Sequence, residues 1–346
     1  MSNFEYYLQS IADEIRNPND PSNLNDFYAV KDYVLDILRL QDSYFGQICQ
    51  NDILFGSFGH KIRIYDDDEM DVLMELRFPA YNRIKRVLDI NLPGFTFLDF
   101  SQACFDTMID RCLANNKARL LCQSKLRRWI NKIFTNALNN YGNVVQGDYE
   151  DYELSYVWRG ETYTIEAVSP CRTSSIDFVP AVKFVDSKAF CWHGIPMFSS
   201  IPGNMQHYTF MISYFNSEKG HLNCCGQTLR DVLRLLQALR NSKKLLKLRC
   251  THFVSLAIWL ARRVGHQTIF HMSVSELFLM LLSDLCDAFY DGHLRYVWDP
   301  DMNLLSNFKA NQLSQYHAEL VRAYNILYSY THQPTLSFKR CLSHFT

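Results

Sequence analysis

The sequence predicts an α+β protein of two lobes, a mixed-sheet lobe over residues 1–200 and a helical lobe over 201–346. Three observations predict it. Strand-like runs separated by turns fill about 54–100 and 143–190. Apolar residues recur at helical spacing through most of Gln227 to Tyr330, including Val274 to Phe289 and Gln312 to Tyr328. Phe27, Val30, Val34, Ile37 and Leu38 form one apolar stripe from Asp26 to about Phe45, a long helix that bridges both lobes, with Asp26 as its N-cap. Ligand sites commonly fall between such lobes, so an active site is expected in the cleft.

Along the chain, Asn17-Pro18 marks a first break and Pro93-Gly94 a later turn. Between them stands Leu54-Phe55-Gly56-Ser57-Phe58-Gly59. Gly56 lets the backbone approach a phosphate, and Ser57 offers a hydroxyl where a short helix begins. Exposed N–H groups at such a start attract phosphate oxygens. Lys61 and Arg63 lend charge nearby or are solvated, and Asp66-Asp67-Asp68 reads as a solvated loop without ligands.

Glu69-Met70-Asp71-Val72-Leu73-Met74 follows, with apolar flanks that favour a strand. Side chains at i and i+2 then share a face, so Glu69 and Asp71 stand together while Met70 and Val72 are buried behind them. Asp177, in Ser174-Ser175-Ile176-Asp177-Phe178-Val179, lies on a second strand-like run. Three carboxylates converging from two strands suit a pair of hard cations, because like charges are costly unless cations neutralise them. Two such ions roughly 3.5–4 Å apart activate an attacking hydroxyl and stabilise a leaving oxygen.

Charge is segregated although the net charge is only −1. Arg111–Gly147 and Val232–Ser275 contain no Asp or Glu, and hold seven and eight Lys or Arg respectively. Such separation is the footprint of a polyanion partner, with an ordinary solvated face as the alternative. In the first stretch Leu126, Trp129, Ile130 and Ile133 form the apolar stripe. Lys125, Arg128 and Lys132 share another face, and Lys117, Arg119 and Arg127 extend the charge. In the second, Leu229, Val232, Leu233, Leu236 and Leu239 face a core, while Arg230, Arg234, Gln237 and Asn241 take the opposite side. Lys243, Lys244, Lys247 and Arg249 follow.

His221-Leu222-Asn223-Cys224-Cys225 offers three ligands, one short of a four-coordinate structural site. His252, Cys250 or His271 are the candidates to complete it, but nothing in the spacing demands that, and no zinc is expected. A chain of 346 residues with 48% hydrophobic content buries a large core. It has no apolar run long enough for a membrane span and no signal-like N-terminus, and its 11 irregularly spaced cysteines fit reduced thiols. The expected location is cytoplasmic, without a membrane partner.

In order and spacing these motifs resemble the cyclic GMP-AMP synthase-like branch of the male-abnormal (Mab) nucleotidyltransferase family, from about Asp26 to about Phe308. The resemblance rests on Leu54 to Ser57, Glu69 to Leu73 and Ile176 to Ala181. In the second half it rests on Met211-Ile212-Ser213-Tyr214-Phe215 with Glu218-Lys219, Val232 to Arg240, Cys250-Thr251-His252-Phe253 and Trp298 to Leu304. It implies that Glu69, Asp71 and Asp177 bind two Mg2+ ions, with Mn2+ as the alternative. It places Gly56 and Ser57 on the donor triphosphate, and Ser213 and Glu218 along the nucleotide pocket. Thr251, Gln237 and Met211 depart from a stacking Tyr, a triphosphate-binding Lys and a base-contacting Arg. Arg234 is a candidate replacement for the charge missing at Gln237. The implied function is innate-immune and antiviral: double-stranded RNA activates synthesis of a cyclic GMP-AMP-type dinucleotide from ATP and GTP, read by a downstream receptor not bound directly. RNA is preferred over DNA because the zinc-bearing insertion is missing, and a duplex is bound through shape and phosphates, with Lys117, Arg119, Lys125, Arg127, Arg128 and Lys132 as contacts. A catalytically silent scaffold, a DNA-activated cyclase and an enzyme extending RNA ends are the alternatives.

Overall fold

The computed structural model describes residues 2–16, 21–64, 69–90, 92–103, 109–113, 119–159, 162–185, 191–196 and 208–346. The Asp66-Asp67-Asp68 run and Lys117 lie outside the described residues. Contacts divide the chain into two compact units. One joins Met1–Pro18, Gly56–Asp67 and Phe215–Thr346; the other joins Asn19–Phe55 and Asp68–Tyr214. The main boundary thus falls at Tyr214/Phe215, and two early segments belong with the C-terminal helices.

The sheet unit contains α2 (Pro21–Gln41), α3 (Ser43–Ile48), β1 (Asn51–Phe55), β2 (Glu69–Leu76), β3 (Lys85–Leu88), β4 (Phe95–Asp99) and α5 (Gln123–Tyr141). It continues with β5 (Val144–Gln146), β6 (Asp151–Arg159), β7 (Thr162–Val168), β8 (Thr173–Val185), β9 (Cys191–Pro196) and β10 (Thr209–Ser213). The strand order is β3-β4-β10-β9-β8-β7-β6-β5, with β2 parallel along β8 and β1 antiparallel on β2. Most pairs are antiparallel, but β8 runs in a crowded centre. β7 pairs with its first half and β9 with its last residues, while β2 follows its middle from Ser175 to Val182. Being covered on both faces, β8 is apolar through most of its length, as central strands are.

Strand alternation sorts the two faces. Met70 and Val72 of β2 are buried, as the sequence predicts, and Met70 and Ile176 lie beside Phe27 and Val30 of α2. Phe134 of α5 stacks on Tyr156 of β6 and Tyr163 of β7 at centroid distances of 5.3 and 5.1 Å. These helices therefore cover the face opposite Glu69, Asp71 and Asp177.

The expected long helix is corrected in two ways. It starts at Pro21, a residue suited to a first turn, so Asp26 lies inside α2 and is no N-cap. Buried Asp26 instead accepts from the Tyr149 N–H at 3.1 Å and the Tyr152 hydroxyl at 3.0 Å. Burial and that bond push the Tyr152 phenol up to about 12. The helix then stops at Gln41, because Asp42 is extended (φ −137) and caps α3 by accepting from the Phe45 N–H. All of α2 belongs to the sheet unit.

The helical unit contains α1 (Phe4–Ile15), α4 (Gly56–Gly59), α6 (Phe215–Ser242), α7 (Cys250–Val264), α8 (His266–His271), α9 (Val274–Asp291), α10 (Ala310–Tyr330) and α11 (Phe338–Leu342). Leu233, Leu236, Phe253, Ala257, Phe278, Leu281 and Leu327 are among its fully buried core, each large one contributing about 1.5–3 kcal/mol. α1 is tied in by Glu5, whose carboxylate accepts from the Val274 and Ser275 N–H groups at the start of α9. Ser273 caps the same helix by accepting from the Glu276 N–H. α6 is broken at Gly226 (φ 81, ψ −167), where an added Cβ would lie 2.8 Å from the Phe270 ring.

Candidate active site

Register brings the acids together. In the parallel β2–β8 pair, Asp71 stands opposite Asp177, and Glu69 lies two residues earlier on the same face of β2. On its other side Asp177 faces Thr164 of β7, whose hydroxyl donates to Asp177 Oδ1 at 2.5 Å. Asp177 is buried, Asp71 half-buried and Glu69 exposed. Among the described residues, no three His, Cys, Asp or Glu side chains are gathered into a metal-holding group. The geometry is therefore a register-matched pair with a third carboxylate along the strand. An all-oxygen donor set of this kind fits hard divalent cations, which would also relieve the repulsion between Asp71 and Asp177.

The same face carries a second polar group that the sequence reading missed. Glu75, four residues beyond Asp71, is buried and accepts from His193 Nε2 at 2.8 Å, Lys183 Nζ at 3.0 Å and Asn51 Nδ2 at 3.1 Å. Burial alone would raise its pKa, but the bonds from His193, Asn51 and Lys183 outweigh it and hold the carboxyl well below the usual range. Between the two polar ends, Leu73, Val179, Ala181 and Ile195 form a small apolar patch with Ile53 and Phe55. Buried Ser213 of β10 is in register with His193, which is in register with Lys183. Ser213 thus shares the face of the acids. Alternation alone could have found Glu75 and Lys183, since each is a charge set at even spacing from Asp71 or Asp177.

Gly56 and Ser57 belong to the helical unit. Gly56 has φ 61, and the turn closes through His60 N–H to the Gly56 carbonyl (3.1 Å) and Ile62 N–H to the Ser57 carbonyl (2.9 Å). Glu218 of α6 is buried, and each of its oxygens has a protein partner: His60 Nε2 and Trp298 Nε1, both at 3.1 Å. Arg234 is also buried; its guanidinium donates to Asp231 and to the Lys61 carbonyl, both at 2.5 Å. Gln237 donates to the Ile62 carbonyl at 2.7 Å. The polar side of α6 is thus turned onto protein backbone.

The basic residues of the first acid-free stretch divide differently. Arg128 and Lys132 of α5 are exposed. With Lys125, Trp129 and Gln41 they line a cavity of about 520 Å3. Arg127 stacks over the Trp158 ring at 3.8 Å, Arg119 pairs with Asp110, and Lys125 reaches the Leu113 carbonyl. In the His-Cys-Cys segment, His221 Nδ1 lies 2.7 Å from His266 Nε2, while Cys224 is exposed and Cys225 buried. No described helix is long and apolar enough to cross a membrane.

Comparison with known proteins matches two family models. The Mab-21 protein nucleotidyltransferase domain covers residues 58–223, and the Mab-21 protein HhH/H2TH-like domain covers residues 228–322. The chain is 27% identical over 315 residues to cyclic GMP-AMP synthase-like receptor 1 of Drosophila melanogaster, covering 83% of this chain and 81% of that protein. It is 24% identical over 337 residues to the protein of the same name from Drosophila erecta, covering 89% and 74%. A cyclic GMP-AMP synthase-like protein of Drosophila melanogaster is 23% identical over 309 residues, covering 82% and 81%.

Proposed function

Because the chain belongs to the Mab-21 nucleotidyltransferase family, we propose that it is an innate-immune receptor that makes a cyclic dinucleotide when duplex RNA binds. It is a nucleotidyltransferase. The finer reading draws on relatives named as cyclic GMP-AMP synthase-like receptors. The observation that carries it is the register match of Asp71 with Asp177, with Glu69 on the same face.

In this reading Glu69, Asp71 and Asp177 hold two Mg2+ or Mn2+ ions, and Gly56 and Ser57 hold the donor triphosphate. When bound, such ions lower the pKa of an attacking hydroxyl and neutralise charge on the leaving pyrophosphate. Thr164 orients Asp177 by donating to one of its oxygens, leaving the other for a ligand. Burial of Asp177, paired through Asp71 on one side and Thr164 on the other, fixes its position before substrate arrives, which is the form of preorganisation that positioning catalysis needs. ATP and GTP are the proposed substrates. Ser213, on the acid-bearing face of the sheet, is the proposed pocket residue in the sheet unit.

Duplex RNA is assigned to α5, where Arg128 and Lys132 present cationic ends to solvent beside Lys125. Such a surface recognises phosphates without reading bases. The nine cysteines with described side chains are all free thiols, in keeping with action in the reducing cytoplasm.

The test is product formation by purified protein from the four NTPs and Mg2+, with and without long duplex RNA or duplex DNA. A phosphatase-resistant dinucleotide formed only with RNA is expected, and Asp71→Asn should bind the duplex yet make none. Product with DNA alone would overturn the choice of activator. No product despite bound duplex would overturn the enzymatic reading in favour of a scaffold.

A further inference from the structure

Three consecutive peptide carbonyls just beyond the Gly56-Ser57 turn are held from one helix. Arg230 Nε donates to the His60 carbonyl at 3.3 Å, Arg234 Nη2 to that of Lys61 at 2.5 Å, and Gln237 Nε2 to that of Ile62 at 2.7 Å. Positions 230, 234 and 237 recur at i, i+4 and i+7, so one face of α6 presents all three donors. The ring of His60 is held as well, because Nε2 bonds Glu218 while Trp298 fixes the other carboxylate oxygen. Within the turn, His60, Lys61 and Ile62 donate their N–H groups to the carbonyls of Gly56, Phe58 and Ser57. Every link from 60 to 62 is therefore bonded in both directions, to the turn before it and to α6 behind it.

The turn needs that hold. Lys61 has φ 62, a left-handed conformation that a non-glycine residue adopts only when its surroundings impose it. Hydrogen bonds from a guanidinium to buried carbonyls are stronger than neutral ones. A cationic Arg234 beneath Lys61 is thus well suited to impose the conformation. The donors of Arg234 and Gln237 that face the turn are engaged by backbone.

We propose that Arg230, Arg234, Gln237 and the His60–Glu218 pair are positioning residues that set the conformation of the Gly56-Ser57 turn, acting on the triphosphate through it. This rests on the reading of that turn as the donor-triphosphate contact. The departure at Gln237 then has a definite role. An amide there anchors the Ile62 carbonyl, and the geometry of the turn, with no charge at 237, supports phosphate binding.

Two measurements on the full chain test this. The first is amide hydrogen exchange of Gln237→Leu, with Gln237→Met as the second variant should the first fail to fold. Exchange at 57–62 should rise by about tenfold or more while the α9 amides keep their protection. The second is steady-state kinetics of the same variant, where KM for the nucleotides should rise about tenfold with kcat changed less than about twofold. His60→Ala and Glu218→Ala should each raise KM, and the double variant should match either single one. Raised KM with unchanged exchange at 57–62 would mean direct nucleotide contact by Gln237 and would overturn the proposal. Additive effects at 60 and 218 would overturn the His60–Glu218 link. Raised exchange with unchanged KM would confirm the hold on the turn and sink the reading of the turn as a phosphate contact, and with it the positioning role.

Discussion

Residues 111–147 and 232–275 both lack Asp and Glu and both set Lys or Arg at helical spacing, yet α5 turns Arg128 and Lys132 to solvent while α6 turns Arg234 onto a peptide carbonyl. The surroundings of the two helices account for the contrast. α5 packs on α2 and β6 and keeps one side in water. α6 meets α1, α7, α8 and α9, so its polar side faces protein too. A cation placed there must find acceptors, since an unpaired buried charge is costly. Cations at helical spacing therefore have opposite uses on the two helices, those of α5 suited to an external polyanion and Arg234 of α6 to an internal loop, while Lys244, Lys247, Arg249, Arg262 and Arg263 of the second stretch stay exposed.

The sharpest way to break that contrast is stability. Arg234→Met strips a bonded guanidinium from buried partners and should cost about 3 kcal/mol in urea unfolding. Arg128→Met should change it by less than about 0.5 kcal/mol. Equal losses would mean that the two helices do not differ as described. Binding probes the other side of the comparison. Arg128→Glu combined with Lys132→Glu should weaken duplex RNA binding by about tenfold or more and lower the salt slope by about two, with unfolding unchanged. Unaltered affinity would remove α5 from the interface.

The smallest effect distinguishes the units by pH. His252 of the helical unit is buried, with Nδ1 accepting from the Arg249 N–H at 2.9 Å and Nε2 3.2 Å from the Leu304 carbonyl. Burial lowers its pKa below 6.5, so the unfolded chain binds the extra proton first. Its contribution is complete above that value and is lost as pH falls toward the folded pKa, by at most about 1.4 kcal/mol per pH unit. Glu75 in the sheet unit has a lowered pKa, so its contribution survives until pH falls below its unfolded value of 4.5. Hydrogen exchange between pH 7 and 4 should therefore show protection falling first in α7 and later in β2, and His252→Gln should flatten only the first step. Simultaneous loss in both would contradict the assignment.

The sequence reading reached furthest where one rule was local and strict. The period of two in Glu69 to Met74 placed Met70 and Val72 in the core and both acids on the other face, which the β2–β8 register reproduces. Helical spacing likewise found α9 and α10, extended by only a few residues at their ends. It failed where a partner lies far along the chain. Asp26 before an apolar stripe looks like a cap, but its partner is Tyr152, and only tertiary contact reveals that. The donors of α6 were equally opaque. Nothing local in Arg230, Arg234 or Gln237 states that residues 60–62 pass beside them. Glu75 and Lys183 lie between these cases, since alternation gives their face but not their bond.

Gly226 has a consequence for helical phase. Glu218 and Arg230 are twelve residues apart, so on an uninterrupted helix they would stand roughly 18 Å apart along the axis and roughly 120° apart around it. Yet both hold His60, one by its ring and the other by its carbonyl. The left-handed break at Gly226 resets the phase between the two halves of α6, freeing the first half from the rotation dictated by the second. A side chain at 226 would press on Phe270 and favour ordinary helical angles, restoring a single phase. One glycine thus lets a single segment grasp one residue by both its ring and its backbone.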